Sequence, residues 1–255
     1  MCLILLAWRQ HSNYPLVLAA NRDEYHRRPT AVAGPWPDCA EIVGGRDLLQ
    51  GGSWLAMAPQ GRFAVVTNFR ETPPNLCPPR SRGRLVRDYL VGDQGPADYL
   101  ARVADQGELY RGFSLLVGDH GAVGYLSNRA GGYRLLPPGV YGVSNALLDC
   151  PWYKVNEGRR RLRGLLTEAA LDREAIFRML ADPDPPPPGV GRSGSDEGNG
   201  IDGPESPFFI CGDVYGTRCS TLLWSDRSGG MTLVERSFAP NGVPLGEVCH
   251  QLKGS

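Results

Sequence analysis

In the first third of the chain, apolar residues fall in short blocks separated by turn formers. "CLILLAW" (2–8) and "LVLAANRD" (16–23) are joined by the polar "RQHSNYP", and "SWLAM" (53–57) and "RFAVVTNF" (62–69) flank "APQG". Blocks of this length bounded by Pro, Gly and Asn predict antiparallel hairpins. Between them, "EIVGGRDLLQGGSW" (41–54) carries two Gly-Gly pairs and predicts a loop or a bulged region rather than a helix.

A helical period then takes over. "SRGRLVRDYLVG" (81–92) puts Leu85, Val86, Tyr89 and Leu90 on one side, with Ser81 as a cap and Gly92 as a stop. "PADYLARVADQG" (96–107) begins at Pro96 and ends at Gly107. Strand patterns return in "GFSLLVGD", "AVGYLSN", "GYRLLP" and "VYGVSNAL" (112–147). A second helical pair covers about 152–181, with the amphipathic "KVNEGRRRLRGLLTEAAL" followed by "DREAIFRMLAD" and its cap Asp172. Residues 183–207 are rich in Pro, Gly, Ser and Asp and predict a surface loop inserted in the domain. "FFIC", "GTRCSTLLWSD" and "MTLVERSF" predict closing strands, the last two joined by a turn at "SDRSGG". This order lacks the strand–helix–strand alternation of parallel sheets. It predicts one α+β domain over 1–255, with two antiparallel sheets and helices packed outside.

Composition narrows the function classes. Apolar residues make up 42% of the 255, enough for a sizeable core. Lys+Arg and Asp+Glu both total 27, so nothing argues for an electrostatic grip on nucleic acid and none is expected as a partner, although "EYHRRP" and "EGRRRLRG" are locally positive. No apolar stretch approaches the ~20 residues of a membrane span, and the run 3–8 is shorter than a secretory signal core, so a cytoplasmic location is expected. Seven cysteines without a CxxC pair and four scattered histidines predict neither a disulfide framework nor a metal site.

The common catalytic loops are absent: no GxSxG, Walker A, HExxH or GxGxxG is found. What remains is four polar clusters at strand ends: Asn21, Arg22, Asp23 and Glu24; Thr67 and Asn68; Ser144 and Asn145; Thr217, Arg218 and Ser220. Taken singly, each reads as a residue that hydrogen-bonds turn backbone. Together, rigid strand tips can converge on one cleft. Cys2 belongs with them. Removal of Met1 would leave a thiol and an α-amine on one carbon, and an amine of pKa about 7.7–8.0 is a built-in base at neutral pH. An ordinary thiol is only ~3% thiolate at pH 7, so a neighbouring cation is required.

"MCLILLAW…LVLAANRDEYHRRP", "GGSWLAM", "TNFR", "SRGRLVRDYL", "YGVSNALLDCPW" and "YGTRCSTLL" resemble the NRDE family, also called the Transport and Golgi organisation protein 2 family, over nearly the whole chain except about 183–207. That family is similar to the N-terminal-nucleophile hydrolases, especially the cysteine branch containing penicillin V acylase and bile salt hydrolase. The resemblance implies a four-layer αββα sandwich and Cys2-dependent hydrolysis of a linear amide through a thioester, with no cofactor. It implies Cys2 as nucleophile, Asp23 as the contact of its amine, Asn68 as an oxyanion-hole position, Asn145 as a second asparagine of the site and Arg218 as the late arginine. Those hydrolases carry an arginine three residues before the aspartate; here that position is Ala20. Arg22 adjoins Asp23 and on a regular strand points to the opposite face, which leaves the thiolate-stabilising charge to Arg218 or absent. The same resemblance implies an alternative in which haem is the ligand and the protein traffics it without hydrolysis. The Cys-Pro pairs Cys77-Pro78 and Cys150-Pro151 are of the sort found at regulatory haem sites. The expected partner is thus a small-molecule substrate or haem.

Overall fold

The computed structural model describes residues 2–71, 80–188, 190 and 205–254. In chain order the elements are β1 (Cys2–Trp8), β2 (Leu16–Tyr25), β3 (Thr30–Trp36), β4 (Cys39–Asp47), β5 (Leu55–Ala58), β6 (Arg62–Asn68), α1 (Gly83–Val91) and α2 (Pro96–Asp105). They continue as β7 (Phe113–Gly118), β8 (Val123–Ser127), β9 (Tyr133–Leu135), β10 (Gly139–Val143), α3 (Tyr153–Leu165), α4 (Arg173–Leu180), β11 (Tyr215–Ser225), β12 (Met231–Phe238) and β13 (Pro244–Leu252). Among the described residues, no helix is long and apolar enough to cross a membrane.

β1 shows how the layers arise. Its residues from Leu3 to Trp8 are all buried, so the sequence reads as an unbroken apolar run. Alternate side chains leave the strand on opposite faces. Ile4, Leu6 and Trp8 join a core with Leu18, Phe63 and Leu116, which lies between the sheets. Leu3, Leu5 and Ala7 join a second core with Leu162, Phe177 and Phe208, beneath α3 and α4. A third core, including Tyr89, Tyr99, Leu100 and Phe113, lies beneath α1 and α2. The sheets run β10-β1-β2-β11-β12-β13 and β3-β4-β5-β6-β7-β8-β9, antiparallel throughout. The architecture is the αββα sandwich that the sequence predicts.

Local departures have physical reasons. The Gly-Gly segment at 44–45 is part of strand β4, whose pairing with β3 slips between Ala31 and Gly34. A Cβ on Gly44 would sit 2.4 Å from that of Ala56, so glycine is what lets β4 and β5 approach. Ser81 does not cap α1; Arg82 occupies the cap position with helical dihedrals and no side-chain hydrogen bond. α3 stops at Leu165, short of the predicted 171. Asp172 caps α4 as expected, accepting from Ala175 N at 2.9 Å. "FFIC" is not a strand. It is a docked loop in which Ile210 O accepts from Thr217 N at 2.9 Å, with Phe208 inserted under the helices. The strands β3 and β13 have no counterpart in the sequence reading. Both are sheet edges, with Pro35 in one and a largely exposed, polar run in the other, so neither shows an apolar pattern. Most of the predicted 183–207 loop, together with Met1 and Cys77, lies outside the described residues.

A buried carboxyl fastens the edge of one sheet to the other. Glu235 Oε1 on β12 accepts from Ala33 N of β3 at 2.8 Å, and Oε2 accepts from Thr221 Oγ1 at 3.2 Å. Burial raises the Glu235 carboxyl above its ordinary range, against the opposing pull of the donors on Ala33, Cys219 and Thr221. The folded state therefore holds this proton more tightly than the unfolded chain. Its contribution to stability is present below the ordinary carboxylate range and is lost as pH rises through the raised value. Glu235→Gln keeps an acceptor for Ala33 and removes the titration. It is expected to flatten the decline in melting temperature from mildly acidic to neutral pH, with a neutral-pH melting temperature at or above that of the wild type. Thermal unfolding across that pH range checks this.

Candidate active site

The register of one hairpin brings the chemistry together. Cys2 on β1 pairs directly with Arg22 on β2, and Ile4 with Ala20. Directly opposed residues project from the same face of a sheet. Ile4 and Ala20 face the core between the sheets, so Cys2 and Arg22 open into that same space at its end. The cleft there is lined by Cys2, Ile4, Arg22, Trp54, Val65 and Thr221, with room for roughly one water. Cys2 is half-buried and Arg22 is buried.

Arg22 corrects the sequence reading. It does point away from the face of Asp23, but the Arg22 face is the one that carries the cysteine. Ala20 and Arg22 are two residues apart on one face, so the charge expected at position 20 enters the cleft from position 22. The Arg22 guanidinium lies 4.2 Å over the Trp54 ring, and Nη1 donates to Thr30 Oγ1 at 3.4 Å. Glu24 Oε2 stands off at 3.9 Å. A desolvated stack of this kind contributes about 2 kcal/mol and holds the cation in place beside the thiol.

Asp23 lies on the other face, one position past the residue opposite Cys2. Its Oδ1 accepts from Thr217 Oγ1 at 2.6 Å. Asn21 shares that face, and its Nδ2 donates to the carbonyls of Leu180 and Phe208, both at 2.7 Å, which docks α4 and the following loop.

Asn145, just past β10, gathers three segments. Its Oδ1 accepts from Cys2 N at 3.3 Å, and its Nδ2 donates to Asn68 O at 2.8 Å. Ser144 Oγ donates to Cys2 O at 2.8 Å. Asn68 therefore contributes its main chain to this knot. Its side chain is exposed at the end of β6, with no hydrogen bond among the described residues.

Arg218 is placed elsewhere than on the thiol. The β11–β2 pairing slips between Thr217 and Cys219, and Arg218 is the extra residue of that bulge. Re-aimed by the bulge, its Nη1 donates to the carbonyls of Tyr25, His26 and Arg28 at 3.0, 3.2 and 3.2 Å. Burial and the nearby Arg22 lower its guanidinium below the ordinary value. Past the bulge Cys219 pairs with Arg22, so Arg22 stands between two cysteines. Burial pushes the Cys219 thiol well up, and the Glu235 carboxyl adds to that.

A residue that the sequence did not single out completes the surroundings. The backbones of Gly52 and Gly83 abut: a Cβ on Gly52 would lie 2.5 Å from the Gly83 carbonyl carbon, and Ser53 N donates to Gly83 O at 3.1 Å. Half-buried Arg82 precedes Gly83, and its Nη1 donates at 3.0 Å to Gly112 O, which also accepts from Phe69 N beside Asn68. Burial first, and the Arg111 guanidinium second, push Arg82 down to about 10, while Glu71, Cys2 and Glu24 act in the other direction. Cys150, of the second Cys-Pro pair, is half-buried and packs against the core beneath α3 and α4.

The family model for Transport and Golgi organisation 2 matches residues 1–240. The mouse Transport and Golgi organization 2 homolog is 32% identical over 241 residues, covering 88% of this chain and 87% of its own length. The human Transport and Golgi organization protein 2 homolog is 33% identical over 241 residues with the same coverages. Among solved structures, a Caenorhabditis elegans N-acylethanolamine-hydrolyzing acid amidase ortholog aligns with a TM-score of 0.49 at 13% identity, covering 87% of this chain and 92% of that one.

If Arg22 supplies the charge beside the thiol, Arg22→Met is expected to slow alkylation of Cys2 by iodoacetamide roughly tenfold, the order set by losing one near charge. Arg218→Met is expected to change it less. Peptide mapping of the label among the cysteines, followed over time, provides the measurement.

Proposed function

The chain belongs to the Transport and Golgi organisation 2 family, and from that premise we propose that it is an N-terminal-nucleophile amidohydrolase in which Cys2, exposed by removal of Met1, cleaves a linear amide. One observation carries this reading. The nitrogen of Cys2 is held by Asn145 Oδ1 at 3.3 Å while the side chain opens beside Arg22 into the cleft between the sheets. Removal of Met1 turns that nitrogen into an amine on the carbon that carries the sulfur, and the sulfur shares its face of the sheet with a fixed cation.

The steps follow from these positions. The α-amine takes the thiol proton, and the Arg22 guanidinium stabilises the resulting thiolate. The sulfur attacks the amide carbon and the C–S bond forms. The oxyanion falls to the side chain of Asn68, beside the carbonyl that Asn145 ties; one such donor is worth ~3 kcal/mol of transition-state stabilisation. The C–N bond then breaks, and the α-ammonium returns its proton to the departing amine. Water attacks the thioester, giving its proton to the same α-amine, and the C–S bond breaks to release the acid. Asp23, one position past the Cys2–Arg22 pair, balances the charge of the α-ammonium. Asn145 keeps the amine from turning away from the cleft.

Three measurements test this reading together. Intact mass is expected to show Met1 removed. Acid quenching during turnover of an N-acyl amide is expected to trap an acyl adduct that maps to Cys2. Cys2→Ala is expected to lose turnover by at least about 10³-fold, while its melting temperature stays within a few degrees of the wild type. A retained Met1, or turnover undiminished in Cys2→Ala, would refute the assignment.

A further inference from the structure

Two guanidiniums flank the Cys2–Arg22 pair with no carboxylate partner among the described residues. Arg218 is satisfied by the three carbonyls of the turn after β2. Among the described residues, Arg82 makes a single hydrogen bond, to Gly112 O at 3.0 Å, and enters no ion pair. Several other part-buried arginines are neutralised, Arg28 by Asp47 at 2.6 Å, Arg161 by Asp182 at 2.5 Å and Arg236 by Glu247 at 2.8 Å, while Arg62 is satisfied by the carbonyls of Tyr89 and Gln94. Burial first, and the like charge of Arg111 second, push the Arg82 guanidinium down to about 10, with Glu71 and Glu24 only partly offsetting them. A side chain that ordinarily stays charged above pH 12 is thus held where its charge is penalised. Its remaining N–H donors form the planar fork that matches a carboxylate. An arriving anion would relieve both the desolvation and the repulsion.

Position adds to charge. The Gly112 carbonyl that accepts from Arg82 Nη1 also accepts from Phe69 N at 2.8 Å, beside Asn68, whose own carbonyl is tied through Asn145 to Cys2 N. In an N-acyl amino acid the carboxylate is one carbon removed from the nitrogen that leaves. A cation near the nucleophile, yet separate from Arg22, therefore suits that geometry. Resting on the reading of Cys2 as an amide-cleaving nucleophile, we propose that the substrate is an N-acyl amino acid, and that Arg82 receives its carboxylate. The reaction balances as acyl amide plus water giving a fatty or other carboxylate and a free amino acid. The C–N bond breaks as the C–S bond forms. The leaving nitrogen takes the proton that the thiol gave to the α-amine, and water then breaks the C–S bond.

A matched pair of probes tests this: N-lauroylglycine and N-lauroylethanolamine, which share the acyl chain and differ in the anion. The wild type is expected to favour N-lauroylglycine in kcat/KM by at least about tenfold, with the preference shrinking as ionic strength rises. In Arg82→Gln the ratio of the two is expected to collapse toward one, chiefly through KM for the anionic probe. Arg82→Lys, which restores a point charge without the fork, is expected to recover part of it. Melting temperatures of both variants verify folding. Turnover of the neutral amide at an equal or higher rate, with a ratio indifferent to Arg82, overturns the proposal and leaves the hydrolase reading standing. If neither probe is turned over, calorimetric binding to Cys2→Ala decides separately. Anion-selective, Arg82-dependent binding keeps the carboxylate site and removes the hydrolase reading, whereas equal binding of both probes overturns the site.

Discussion

The cross-strand pairing of Cys2 with Arg22 is the constraint on which the rest of the site depends. β1 sits between β2 and β10, hydrogen-bonded on both edges and buried on both faces. Slipping it by one residue would exchange its two apolar faces, sending Ile4 and Leu6 toward the helices and Leu3 and Leu5 into the inter-sheet core. The same slip would remove Cys2 from the cleft. Burial of these side chains contributes about 1.5–3 kcal/mol each, so hydrocarbon packing sets the register that places the sulfur, and Asn145 and Ser144 hold the Cys2 main chain at the strand's end. Sites built on strands in this way are held more tightly than sites on loops.

Two polar ties hold the sheets together at the strand ends. Asn145 joins the end of β10 to Asn68 on β6, and Glu235 joins β12 to Ala33 on β3. The cleft with Arg22 lies between the strands so joined. Each tie uses a buried or half-buried polar group with its hydrogen bonds satisfied, the condition under which such groups specify geometry without a large cost. Arg22 links the two regions, because Cys2 pairs with it on one side and Cys219 on the other.

Elements with strong periodicity were legible in the sequence: β1, β2, β5, β6 and the four helices all fall where their apolar residues place them. The edges β3 and β13 were not, because a strand that buries little carries little pattern. Within the site, convergence of the strand-end clusters was legible, and Cys2, Asn68 and Asn145 do meet at one knot. The standing of Arg22 was not. Facing away from Asp23 says nothing about facing Cys2, which depends on the register across the 9–15 connection. Arg218 was displaced by a one-residue bulge, for which "GTRCS" gives no signal. Arg82 meets the end of β6 through the carbonyl of Gly112, thirty positions away, a tertiary fact with no local trace.

The Arg218 bulge has a mechanical consequence for the loops beside it. Three carbonyls of the turn between β2 and β3 converge on one guanidinium, so this turn is anchored to a central strand of the six-stranded sheet. The loop at 47–52 is clamped to that same turn, by the Arg28–Asp47 ion pair at 2.6 Å and by Leu48 N on Pro29 O at 3.1 Å, and Arg46 Nη2 donates to Gly51 O at 2.9 Å, while Leu48 and Leu49 face solvent. One misplaced residue in a central strand thus becomes the keystone of two neighbouring loops, which brace each other and move as a single block or not at all.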